Sequence, residues 1–569
     1  MSSQDLKATS ARMQHILADV HYRMNMLLPV NRLPPELIIA TFKCIVDELD
    51  AYRVICLPAR YDTQSDIRPL LALTHVCRHW RDVAIAFPKF WSSILVNSLD
   101  LVETFLTRSA PLPASVYVSK SLRAEGRYPD TYRAMIARHR HRIARLEIEA
   151  AAFVNVVGPL LSIGLPSLDC LTISSYEDNL APDDYVPGMD GQGDGKDGLA
   201  VEDRLCLPDS MASSLKALTV LPIVDFLPWG DFKTLTHLYL TFNPTYAKFD
   251  VHDIIAVLVR MPALCHLHLA LIIFPRVRRR PPLKPNSVPL DCLPSLTFTS
   301  CVFRYVTDLL RILVLPQDIL VRMQDMNCPR EAVPLPRLDV WKTVTSLEIA
   351  SLGPRRLQLI AEGTSRSGLW LQLEVDDMPS ASEPWLRDFF TTTELSSVTT
   401  LRVCLGPGIN GIWEAMLRNL PNLLVLHVHL RSSYCARIEP LALLLSQDAP
   451  ASCPSLHTLS IARGMSATDA LHLPFIALLG RMLAARAQAG RRLRRLELEP
   501  FPSGCLTIDD MDEAADEYQT LRQHVDEYHF RYPDQLGDPF KMHDMWRNRE
   551  AEKYWEVAPN DKPEYVLPW

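Results

Sequence analysis

Two neighbouring pairs of rings raise the question of chemistry: His237 and Tyr239 in LTHLYL (235–240), and His266 and His268 in LCHLHL (264–269). If both segments are adjacent strands, alternation puts the four rings on one face, where they could hold a metal ion or form a catalytic pair. A zinc site needs three or four convergent ligands, usually with Cys or carboxylate support, and nothing nearby supplies the rest. The pairs therefore read as hydrogen-bonding surface groups. Asp190-Gly-Gln-Gly-Asp194-Gly suggests a calcium loop, but its twelfth position is Val201, where an EF-hand needs a bidentate Glu. Arg276, Arg278, Arg279, Arg280 and Lys284 could meet phosphate or act as a nuclear address. Their interleaved prolines favour a solvated loop, and the run Arg138-His139-Arg140-His141-Arg142 is similarly ambiguous. No GxxxxGK[ST], GxSxG or HExxH motif occurs, and only 20 glycines are available for phosphate-cradling loops. No catalytic residue, metal or cofactor is expected.

At 569 residues, 48% hydrophobic and 22% charged, the chain has ample material for several domains or one elongated repeat architecture. Its net charge of -7 argues against a nucleic-acid coat. That charge sits at one end: residues 501–569 hold 16 acidic and 7 basic side chains, or -9, which leaves +2 for the remainder. The start shows no secretory pattern, and MPALCHLHLALIIF (261–274) falls short of the about 20 apolar residues that a bilayer crossing takes. Thirteen cysteines without a CxxC pair read as reduced, mostly buried thiols, so a cytoplasmic or nuclear protein without membrane or nucleic-acid partners is expected.

The elements that must position any site fall into blocks. Residues 5–28 predict an amphipathic helix, with Met13, Ile16, Leu17, Val20, Met24, Leu27 and Leu28 on one face, suited to packing on the next domain. Pro34 and Pro35 suit a helix entrance, because their fixed φ and missing N–H cost nothing there. Beyond them Ile38, Phe42, Ile45 and Leu49 form one stripe, and Leu37, Thr41 and Cys44 lie beside it, giving two apolar faces. A second helix is predicted from RPLLALTHVCRHWRDVAIAF, with Leu70, Leu73, Cys77, Trp80 and Ala84 in one stripe, ending before Pro88.

Leu33-Pro34-Pro35-Glu36-Leu37, then Val76-Cys77-Arg78-His79-Trp80-Arg81, then Phe90-Trp91, resemble the F-box, especially the version common in large fungal F-box families. The resemblance covers residues 29–96 and implies a compact helical module that binds a Skp adaptor and, through it, a cullin-RING ubiquitin ligase. It assigns Leu33, Pro34, Pro35, Leu37 and Ile38 to the adaptor-facing entry, Val76, Cys77 and Trp80 to the second block, and Trp91 to the module's core. The stretch 47–69 separates the two blocks by more than a compact F-box requires. Residues 97–140 are expected to be a connecting helical segment.

From residue 141 to 504 an L-x-x-L-x-L theme recurs: IARLEI, LDCLTI, LKALTV, LTHLYL, LCHLHL, LPSLTF, VTSLEI, VTTLRV, LLVLHV, LHTLSI and LRRLEL. It resembles the strand segment of leucine-rich repeats. From Leu146 to Leu496 ten intervals span 350 residues, or 35 each, longer than the roughly 20–29 of regular repeats. The expected fold is α/β: a helical module, then an irregular solenoid with a parallel sheet on its concave side and helices, among them ILVRM, LALLLSQ and LPFIALLGRMLAARAQ, on its convex side. The position after the central Leu would face the concavity, and there Tyr239, His268, Glu348, Arg402, His427 and Glu497 are the candidate target-binding residues. An acidic insertion (176–204) and a basic one (274–289) read as loops, and the aromatic, acidic tail (505–569) as a cap on the last repeat.

These expectations combine into a monomeric adaptor within a ligase complex that recruits an unknown target protein. The alternative is a repeat scaffold with no ligase attached.

Overall fold

The computed structural model describes residues 3–51, 68–96, 99–118, 130–149, 158, 160–174, 204–223, 227–242, 249–272, 284–285, 287–327, 333–351, 356–364, 366–374, 378–405, 412–430, 439–446, 453–463, 472–498, 519–530, 544–546, 550–551 and 553–554. Most of the 47–69 stretch, the acidic insertion, most of the basic insertion and much of the tail lie outside the described residues. The protein is α/β, a helical N-terminal region followed by mostly parallel sheet, and it divides into two compact units, Met1–Leu235 with Glu552–Pro559 and Thr236–Ala551 with Asn560–Trp569.

In the first unit, helix α1 (Ser3–Met26) leaves Met13, Ile16, Leu17 and Val20 in water, 46–66% exposed. The expected packing of that face on the next domain is therefore corrected: near its C-terminal end Arg78 sits over the Tyr22 ring at 5.4 Å, while the apolar stripe stays open. A 3-10 turn (Pro29–Arg32) leads into α2 (Pro35–Ala51). The single helix expected after it is two, α3 (Arg68–Val76) and α4 (Arg78–Ile85). Cys77 breaks it, with an extended backbone (φ -159°) and a sulfur that accepts the Trp80 amide at 3.5 Å. Arg81 Nε donates to the Thr74 carbonyl at 2.8 Å, satisfying an acceptor that the interruption leaves without a helical donor.

A 3-10 turn (Pro88–Trp91) is followed in this unit by strand β1 (Ser93–Val96), α5 (Leu99–Arg108), β2 (Ala114–Val118), α6 (Asp130–Arg138), β3 (Ile143–Glu149), β4 (Cys170–Ser174), β5 (Arg204–Cys206), a short helix (Asp209–Ala212), β6 (Ala217–Ile223) and β7 (Leu227–Trp229). β1, β2, β3, β4 and β6 pair in that order, all parallel. The sheet thus begins at Ser93 rather than after residue 140, and the supposed helical connector contains β2. The register explains the leucine theme: Val116, Leu146, Leu171 and Leu218 form one buried column, and Val118, Ile148, Ile173 and Val220 the next.

The second unit contributes β8 (His237–Phe242), β9 (His266–Ala270), β10 (Val288–Pro289), β11 (Ser295–Thr299), β12 (Leu313–Val314), β13 (Leu320–Asn327), β14 (Val344–Ser351), β15 (Arg356–Gly363), β16 (Gly368–Glu374), β17 (Thr400–Leu405), β18 (Val425–Leu430), β19 (Thr458–Arg463), β20 (Leu493–Leu498) and β21 (Val525–Phe530). Helices join many of them, including Val251–Leu258, which opens with a reciprocal Asp250–Asp253 capping box. LALLLSQ and LPFIALLGRMLAARAQ fall in helices Glu439–Ser446 and His472–Gln488, but ILVRM is a strand, the start of β13.

Among the described strands of this unit, spatial order departs from chain order over β11, β13, β16, β15, β14, β17. β15 is antiparallel to both neighbours, which corrects the all-parallel expectation. Four residues separate β14 from β15 and four separate β15 from β16; a parallel crossover takes a dozen or more, so these strands must reverse. β21 pairs with β20, so part of the tail does lie on the last strand.

Among the described residues no helix is long and apolar enough to cross a membrane, and nine cysteines are free thiols. Burial pushes the thiols of Cys170 up to about 11 and of Cys301 and Cys453 up to about 12.

Candidate functional site

Two surfaces gather the residues singled out above. In the helical module, Phe42 is fully buried and packs against Trp80 (ring centroids 5.1 Å) and Phe90 (6.1 Å). Trp91 is fully buried too, donates its indole N–H to the Ala84 carbonyl at 2.8 Å and meets Phe105 edge-on. Ile38 joins this core at 2% exposure, so its assignment to the adaptor-facing entry is corrected. Trp80 is half-buried and Cys77 caps α4, so both serve the module's interior first. Leu33 (38%), Leu37 (52%) and Val76 (56%) are exposed, as are Pro34 and Pro35.

On α2 the exposed Leu37 and Thr41 lie beside the dry stripe of Ile38 and Phe42, and Ile45, 38% exposed, stands at its wet margin. Asn31 escaped the sequence reading. It is 5% exposed, donates to the Asn25 carbonyl at 2.7 Å and accepts the Trp80 indole N–H at 2.7 Å. An Asn before a Pro-Pro pair reads as a turn residue, and only the folded module reveals it as a strut.

The other residues lie in rows on the strands of each unit. In the first unit Tyr117, Glu147, Thr172 and Thr219 are in register. In the second, the register runs Tyr239, His268, Thr297, Arg322, Trp370, Ile360, Glu348, Arg402, His427, Ser460 and Glu497. All six candidate target-binding residues occupy this row, and sequence reasoning missed Arg322, Trp370 and Ile360 between them because their strands do not spell the leucine theme.

Exposure differs from expectation. Tyr239 (2%), His268 (4%), Glu348 (4%) and Glu497 (9%) are buried, while Arg402 and His427 are half-buried. Neighbours in a row stand about 4.8 Å apart and cover one another. Tyr239 and His268 stack at 4.1 Å, and His268 Nε2 meets Thr299 Oγ1 at 2.9 Å. Burial, helped by the Arg322 charge, lowers His268 to about 3; burial, then His237 and Arg322, lowers His266 to about 4. Both imidazoles are neutral at pH 7. Among the described residues no group of three His, Cys, Asp or Glu side chains could hold a metal ion. Glu348 accepts from Gln358 at 3.2 Å and faces Arg402 at 3.9 Å.

The row is also where the tail docks. Trp546, 2% exposed, packs edge-on against Trp370 (5.4 Å, 83°) with Leu320 and Ile360 around it. Its indole N–H donates to the Glu362 carboxylate at 3.0 Å, and its carbonyl accepts from Arg322 Nη2. Gly368 leaves the notch: a Cβ there would stand 3.0 Å from the Trp546 ring and 2.6 Å from the Ala361 carbonyl. Four residues on, the Glu550 carbonyl pairs with His237 Nε2 at 2.8 Å, and because a carbonyl only accepts, the histidine donates. In the first unit Arg145 donates to the Tyr554 carbonyl. The tail's aromatic anchor thus sits on β13, β15 and β16, not on the last strand as expected.

No protein-family model matches this chain, and no curated protein is significantly similar to it.

Proposed function

We propose that the chain is the target-recognition subunit of a Skp-cullin-F-box ubiquitin ligase. Its module 29–96 docks on a Skp adaptor, and its strand-and-helix region, read as a degenerate leucine-rich-repeat solenoid, holds a target protein. The observation that carries this reading is that Leu33, Pro34, Leu37 and Val76 stand in water on a module whose own core, Ile38, Phe42, Phe90 and Trp91, is already closed. Apolar groups not needed inside are available to a partner. The repeat reading gains support from LPSLTFTSC (293–301), which spells L-x-x-L-x-F-x-x-C; Cys or Asn ends the corresponding repeat consensus. Cys301 Sγ there accepts the Ile272 amide at 3.4 Å, linking neighbouring strands, and its single thiol proton has the Thr299 carbonyl at 3.3 Å and the Leu269 carbonyl at 3.6 Å as acceptors.

Such a subunit works by proximity: holding the target beside the transfer machinery raises effective concentration, and the receptor contributes no reacting group. Calorimetry with a Skp adaptor tests it, comparing the intact chain with Leu33→Ala, Pro34→Ala combined. Losing about 2 kcal/mol at each position weakens binding roughly a thousandfold. An intact chain that binds no adaptor is instead a scaffold without a ligase.

A further inference from the structure

We propose that the row face formed by β13, β15 and β16 is a binding site for a peptide segment carrying a tryptophan, and that the chain's own 3-10 turn Asp544–Trp546 fills it as a built-in ligand which an incoming tryptophan segment displaces.

The contacts are those of peptide recognition. One side chain, Trp546, enters a pocket of Leu320, Ile360 and Trp370 above the Gly368 notch. Glu362 reads the indole N–H, so the pocket distinguishes Trp from Phe. Met545 packs against the same cluster, and two main-chain carbonyls are held as well, that of Trp546 by Arg322 and that of Glu550 by His237; carbonyl capture is indifferent to side-chain identity. A site built of one selective pocket plus backbone acceptors admits any segment with Trp in the right place. That the displacing segment belongs to a ligase target rests on the function proposed above; the docking chemistry does not.

The test uses the full-length chain and a fluorescein-labelled peptide of residues 540–551, read by fluorescence polarisation. Wild type, its site occupied in cis at an effective concentration on the order of millimolar, binds the peptide about tenfold or more weaker than Trp546→Ala does. A peptide with alanine in place of tryptophan binds neither chain, and Trp546→Phe gives an intermediate affinity. Equal binding by wild type and Trp546→Ala, or no binding by a Trp546→Ala chain with unchanged circular dichroism, overturns the proposal. So does loss of the fold in both Trp546 variants, because the indole is then a core element and not a ligand. Adaptor binding is not measured here, so either reading can fail alone.

Discussion

The helical module and the sheet row handle side-chain character in opposite ways. In the module Leu33, Leu37 and Val76 stand in water; in the row His268, Glu348 and Arg322 are buried. Each inverts the usual preference, for a different reason. The module has a dry face already filled by aromatic rings, and on the function proposed above its second apolar face is where the adaptor docks. The row's polar groups have partners inside the chain: Thr299 for His268, Gln358 for Glu348 and the Trp546 carbonyl for Arg322. The exposed apolar groups are left uncovered by the described residues, whereas the buried polar ones are matched within the chain.

The largest effect that could break this contrast concerns the module's interior. Trp91→Ala removes a fully buried ring and its bond to the Ala84 carbonyl, and is expected to lower stability by about 3–5 kcal/mol. Denaturant unfolding followed by circular dichroism measures it. A small change there would mean that the core is not closed.

Acid sharpens the other side. His266 and His268 titrate at about 4 and about 3 in the folded chain, against an ordinary 6.5. As pH falls the unfolded chain takes up these protons first, so their contribution is whole above pH 6.5 and declines as pH drops toward the folded values. At pH 5 the loss is about 2 kcal/mol per imidazole. Thermal midpoints at pH 7.5 and pH 5 should separate more for wild type than for His266→Gln, His268→Gln; equal separations would place these rings in water. Asn31→Ala comes next, leaving the Trp80 indole N–H without its acceptor at an expected cost of about 1–3 kcal/mol, read by the same unfolding experiment.

The strands were legible where alternation is strong. LTHLYL and LCHLHL declare themselves because Leu238, Leu240, Leu267 and Leu269 must all go inward, and that alternation also placed the six row residues correctly in register. ILVRM misled because a short apolar run has no period that separates strand from helix. RLQLIAEG and GLWLQLE were passed over because their spacing differs from the theme, and with them went Trp370, beside Arg322, and Ile360, beside Trp370. The break at Cys77 is accompanied by local side-chain bonds, the Trp80 amide to the Cys77 sulfur and Arg81 to the Thr74 carbonyl, rather than by a Gly or Pro. Trp546 was visible as an aromatic in an acidic tail, but its seat depends on a notch at Gly368, 178 positions earlier in the chain.

Leu37→Asp tests the central claim most directly, that the module's outer apolar face serves a partner and not the fold. Leu37 is 52% exposed, so the account predicts a stability change within about 0.5 kcal/mol together with loss of Skp-adaptor binding by calorimetry. Adaptor binding undiminished in the variant, or a chain that unfolds because of it, would contradict the account.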